Sequence, residues 1–74
     1  MHDFPEVIGR LGENVRKRRK AQKMTQAELA ERADLHRTYV ADVERGGRNV
    51  SIVKVAKLAL ALRISVSDLC QGMR

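Results

Sequence analysis

The sequence predicts an all-α domain built from five short helices. Three observations carry that expectation. No stretch alternates apolar and polar residues as a strand would, apolar residues recur at three- and four-residue spacing in short runs, and capping signals separate those runs. Length sets the scale: 74 residues suffice for one hydrophobic core and not for two, so residues 1–74 read as a single domain. An apolar fraction of 43% is too high for a disordered polymer.

The first helix is expected over about 5–22. Pro5 and Glu6 follow Asp3 as at a helix start, Ile8, Leu11, Val15 and Arg19 then form one stripe, and Gly9 and Gly12 soften the opening turns. Thr25-Gln26-Ala27-Glu28 fits a capping box, in which hydroxyl and carboxylate each satisfy one orphan amide. The second helix runs from there to about Ala33. Asp34 and Leu35 make a tight connection, and the third helix spans Arg37 to about Arg45, stopped by Gly46-Gly47. Ser51 caps a fourth helix whose inward stripe is read as Ile52, Val55, Leu58, Ala59 and Leu62. Ser65-Val66-Ser67-Asp68 resembles a second capping box and opens a short fifth helix through Leu69 and Cys70.

Charge narrows the class of partner. Residues 10–23 hold seven basic side chains and one acidic one, a net of +6 that equals the charge of the whole chain. Such a segment beside a near-neutral body points to a polyanion. Phe4 and Tyr39 leave little for an aromatic stacking surface of the kind single-stranded nucleic acid prefers. Cys70 stands alone, which excludes an internal disulfide and fits a reducing compartment. No apolar run approaches the ~20 residues of a membrane span, and the start Met1-His2-Asp3 is unlike a signal peptide. A cytoplasmic protein is expected. No nucleophile–base pair, phosphate loop or carboxylate pair stands out, and His2, His36 and Cys70 are too scattered for a metal site. Neither enzymatic activity nor a cofactor is expected.

Residues 26–45 fit a helix-turn-helix. Ala30 is small enough for a steep helix crossing, Asp34 tolerates the turn, and Val40 and Val43 face inward. With Glu44 also inward, ~100° per residue turns the outer face of the third helix between Thr38, Asp42 and Arg45. Arg37 stands at its amino end, where a guanidinium can fork onto guanine with about 1–3 kcal/mol of discrimination. Thr38 suits a thymine methyl or a phosphate. Tyr39 fits either packing beneath the helix or a DNA contact, and Arg45 can neutralise the helix end. Asp42 would repel phosphate and is a cytosine reader, a selectivity element against wrong bases or a solvated carboxylate, the last being favoured. The run from Arg16 to Lys20 wraps the helix, so it cannot face one partner as a whole. Arg19, on the apolar stripe, suits an internal ion pair.

Met24-Thr25-Gln26-Ala27-Glu28-Leu29-Ala30 and Arg37-Thr38-Tyr39-Val40-Ala41-Asp42-Val43-Glu44-Arg45-Gly46 resemble the Cro/repressor-type helix-turn-helix family of phages and bacteria. Ser65-Val66-Ser67-Asp68-Leu69 is similar to that family's final helix, so the resemblance runs from about Leu11 to Leu69. Leu35-His36-Arg37-Thr38-Tyr39, with Glu44-Arg45 and Arg48-Asn49, more narrowly resembles the controller proteins of restriction–modification systems. The resemblance implies a compact lambda-repressor-like fold and a homodimeric, sequence-specific regulator of transcription on a pseudo-palindromic operator. It implies a phosphate clamp at Gln26, backbone or base contacts at Tyr39, Arg48 and Asn49, and a partnership of Arg19 with Glu44. The family usually has glycine where this chain has Asp34 and Arg63. His36 stands where the family has Ser, Thr or Asp and is a poor cap, which either weakens the first turn of the third helix or frees the imidazole for DNA.

Val53 and Leu60 fall off the inward stripe of the fourth helix, and Val66, Cys70 and Met73 extend apolar character to the end. That surplus predicts a homodimer through the last two helices. Two other readings compete. A DNA-binding antitoxin would need more chain for its toxin than the five residues after Leu69, and a non-specific binder of nucleic acid or anionic membrane would use only residues 10–23.

Overall fold

The computed structural model describes residues 4–72. They form α1 (Phe4–Ala21), α2 (Gln26–Ala33), α3 (Arg37–Glu44), α4 (Ile52–Ala61) and α5 (Val66–Leu69), with no strand among the described residues. His2 and Met73 lie outside them.

Local chemistry starts most of the helices. Before α2, the Thr25 hydroxyl accepts from the Glu28 amide at 3.0 Å and the Glu28 carboxylate accepts from the Thr25 amide at 2.8 Å. Ser51 and Ser65 likewise accept from the Lys54 and Asp68 amides. His36 occupies the equivalent place before α3 but makes no side-chain capping bond, so α3 depends on packing for its start. The connections bend where the backbone turns left-handed. Asp34 has φ 55° and Arg63 φ 59°, the two positions where glycine is the family's usual residue, and Gly46 has φ 75°. Lys23, with φ 57°, is a third non-glycine residue in this region and carries no signal in the sequence.

Leu11, Val15, Leu29, Val40, Val43, Leu58, Leu62 and Leu69 meet in one core drawn from all five helices. The tightest crossing is at Gly12. A Cβ there would stand 2.2 Å from the Val43 carbonyl oxygen, so α1 approaches α3 only because position 12 has no side chain. Gly12, a weak point of α1 by helix propensity, serves this contact. At the opposite edge of α1, the Asn14 amide donates to the Leu69 and Gln71 carbonyls, both at 2.9 Å, and ties down the chain around α5.

One expectation for the core is corrected. Ile52 is 70% exposed, and the inward face of α4 is Val55, Leu58, Ala59, Ala61 and Leu62. Ile52 lies about 90° from the centre of that face and in the first turn. There it edges a shallow groove shared with Val7, Ile8, Val50 and Cys70 instead of entering the core.

Candidate nucleic-acid interface

The Asp34–His36 turn carries the chain from α2 into α3, with the Leu35 amide donating to the Ala30 carbonyl at 2.8 Å. What emerges first is exposed: His36, Arg37 and Thr38 are consecutive solvent-facing residues at the open amino end of α3. Amide groups at a helix amino terminus favour anions, and the arginine there adds a full charge.

At the opposite, carboxyl end of α3 lies a polar clamp built on Glu44. Arg19 donates from Nε to Glu44 Oε2 at 2.7 Å and from Nη2 to Oε1 at 2.9 Å, while its Nη1 reaches the Met24 carbonyl at 2.8 Å. Only 11% of the Arg19 side chain and 4% of the Glu44 side chain are exposed. The hydrogen bond to Glu44 and its charge hold the guanidinium still more firmly protonated, against the opposing pull of burial. Gln26 joins the same carboxylate, its Nε2 donating to Oε1 at 3.1 Å. The clamp therefore fixes α1, the start of α2 and the end of α3 in one geometry. A side-chain amide has two N–H donors, so Gln26 can hold Glu44 and still offer one to a phosphate.

Tyr39 turns inward: it is 8% exposed, so its packing role is the one the structure displays. Its ring also serves as a seat for cations, with the Arg48 guanidinium carbon 4.9 Å and the Lys54 nitrogen 4.6 Å from the ring centre. Burial pushes the phenol's pKa up, and nearby Arg48 pulls the other way. Arg48 and Asn49 follow the turn after α3, both exposed. Asp42, expected to be solvated, instead binds two arginines: Oδ1 accepts from Arg45 and Oδ2 accepts from Arg48 at 3.1 Å. The Arg45 contact repeats a local three-residue spacing visible in the sequence, whereas the Arg48 contact needs the reversal at Gly46.

The basic segment is divided by its own helix. Arg19 enters the clamp, and Arg10, Lys17 and Arg18 line a cleft with Asn14, Asp68 and Gln71 on the α5 side. Gly9 and Gly12 mark the other side, where Gly46 and the end of α3 approach. The last two helices also expose apolar side chains: Ile52, Val53, Leu60 and Val66 face solvent, Leu60 by 79%, and Cys70 is half-buried. No helix among the described residues is long and apolar enough to cross a membrane.

A helix-turn-helix family profile matches residues 15–69. The control protein C.BamHI of Bacillus amyloliquefaciens is 50% identical over 46 residues, a match covering 62% of this chain and only 57% of that protein. The crystal structure of the restriction–modification controller protein C.AhdI from Aeromonas hydrophila superposes with a TM-score of 0.82 at 44% identity, covering 84% of this chain and 94% of that one. The controller protein C.Esp1396I, solved as a tetramer with its natural 35 base-pair operator, gives a TM-score of 0.77 at 30% identity, covering 80% of this chain and 78% of that one.

Proposed function

The chain belongs to the helix-turn-helix family, among the relatives of restriction–modification control proteins, and from that premise we propose that it is a sequence-specific, DNA-binding regulator of transcription. The observation that carries the proposal is the exposed His36-Arg37-Thr38 run at the open amino end of α3, a helix whose far end the Arg19–Glu44 clamp holds in place. In each subunit of a homodimer α3 enters a major groove, where Arg37 reads a guanine and His36 and Thr38 flank it. Gln26, Arg48 and Asn49 hold the phosphates, and Tyr39 seats Arg48. Two-fold symmetry places the half-sites ~34–36 Å apart. The exposed side chains of Val53, Leu60 and Val66, with the half-buried Cys70, form the dimer face; Met73, also assigned to it from the sequence, lies outside the described residues.

The whole chain acts as one domain, by occupancy and not by catalysis, in the cytoplasm, and the local concentration of dimer sets the response. A relative bound to its operator as a tetramer supports both the DNA partner and the oligomer. The antitoxin reading finds no support in these relatives.

Selection from a random duplex pool should return a pseudo-palindrome. Arg37→Ala should then lose about 1–3 kcal/mol on that site and relax preference at one base pair per half-site. A pool with no enriched sequence, or an Arg37→Ala protein that ranks single-base variants as the wild type does, overturns the assignment.

A further inference from the structure

Of the two carboxylates on α3, Glu44 turns into the clamp and Asp42 pairs with arginines at the surface, on the face that the docking proposed above turns toward the duplex. Simple electrostatics sets a negative charge there against binding. The Asp42 side chain is nonetheless only 19% exposed, because each oxygen carries one guanidinium, Arg45 on Oδ1 and Arg48 on Oδ2. Its backbone carbonyl also accepts the Gly47 amide at 2.9 Å, which holds the turn between the two arginines. Arg48 lies beyond the helix, on irregular chain, where a long side chain would otherwise sample many rotamers. Asp42 and the face of Tyr39 hold it at two points.

We propose that Asp42 is a positioning residue that sets specificity: it presents Arg48 in one orientation to the operator backbone and offsets the charge of the two arginines toward any other duplex. The inference rests on the DNA-binding function proposed above. A pre-set arginine favours the DNA whose phosphates match its position. A partly neutralised arginine pair attracts unmatched DNA less. Both effects widen the gap between cognate and random sequence, and both depend on one carboxylate.

Asp42→Asn keeps the size of the side chain and removes its charge. Fluorescence anisotropy at several salt concentrations, with the selected operator and a scrambled duplex, separates the contributions for wild type, Asp42→Asn, Arg48→Ala and the double variant. Asp42→Asn should weaken operator binding by about 2- to 10-fold, the usual cost of ordering one long side chain on binding. It should tighten binding to the scrambled duplex and steepen its salt dependence by up to about one unit. In the Arg48→Ala background the same change should no longer weaken operator binding, and thermal melting should confirm that all four proteins are folded. An unchanged ratio of operator to scrambled affinity overturns the proposal, as does equal tightening on both duplexes, which would mark Asp42 as a repelling charge only. Equal weakening with or without Arg48 also overturns it. A wild type that does not prefer the operator at all refutes the DNA-reading function itself, a different outcome from any of these.

Discussion

Asp42 and Glu44 stand two residues apart on one helix, each binding arginine, and their roles diverge through burial and reach. Glu44 draws Arg19 from α1 and Gln26 from α2, partners 25 and 18 residues away in the chain, into a site largely shielded from water. Asp42 takes Arg45 and Arg48 from three and six residues further on, at the surface. A long-range buried pair ties the architecture together, since neither group can leave without stranding the other's charge. A short-range exposed pair contributes little to folding, because water and salt replace each partner readily. What the surface pair controls is where a side chain points.

The largest expected effect tests the buried member. Glu44→Ala leaves Arg19 uncompensated in the clamp and should cost about 3–5 kcal/mol of stability, against almost nothing for the exposed Glu31→Ala. Equal melting temperatures for the two variants would erase the contrast. Next comes the crossing that brings the clamp together. Gly12→Ala drives a methyl group against the Val43 carbonyl, a backbone atom that cannot swing aside, and should cost about 1–3 kcal/mol or more. A wild-type melting temperature in this variant would show that α1 can withdraw from α3 without loss. The Asp42→Asn variant should lie below both, within about 1 kcal/mol of wild type in thermal melting. A loss as large as that of Glu44→Ala would make Asp42 an architectural residue after all.

The same contrast explains what could be read from the sequence. Features settled by neighbours in the chain were legible: the Thr25–Glu28 box, the Asp34 and Gly46 turns, and the Ser51 and Ser65 caps. The Arg19–Glu44 pair was legible because a charged residue on an apolar stripe needs a partner, and the family resemblance supplied which one. Features that arise only when helices meet were not. Gly12 looks like a helix weakness until α3 lies against it. Ile52 looks inward by spacing, but in the first turn of α4 it reaches only the edge of a shallow groove. Asp42 looks solvated until the turn at Gly46 folds Arg48 back beside it, and Gln26 shows no sign in one dimension that Glu44 will share its amide. At the interface, the Arg37 position followed from helix geometry, whereas the inward turn of Tyr39 and its two cations required the packed structure.

The smallest effect concerns a third carboxylate, which sharpens the comparison because it bonds backbone and hydroxyl groups instead of an arginine. Glu28 at the start of α2 is fully exposed, yet its pKa is lowered. The main cause is the backbone amide of Thr25, followed by the Thr25 hydroxyl, with nearby Arg32 adding a little. A carboxyl that ionises more readily folded than unfolded contributes stability above its unfolded pKa and loses it as pH falls through the lower folded value. At neutral pH the Glu28 carboxylate therefore supports the α2 start, and in acid the support disappears. Glu28→Gln should melt below wild type at pH 7, and the two proteins should converge as the pH drops below the ordinary carboxylate range. Melting curves collected across that interval decide the point. A difference that stays constant with pH would mean that the bond to Thr25 does not depend on charge, and one that grows in acid would reverse the sign of the argument.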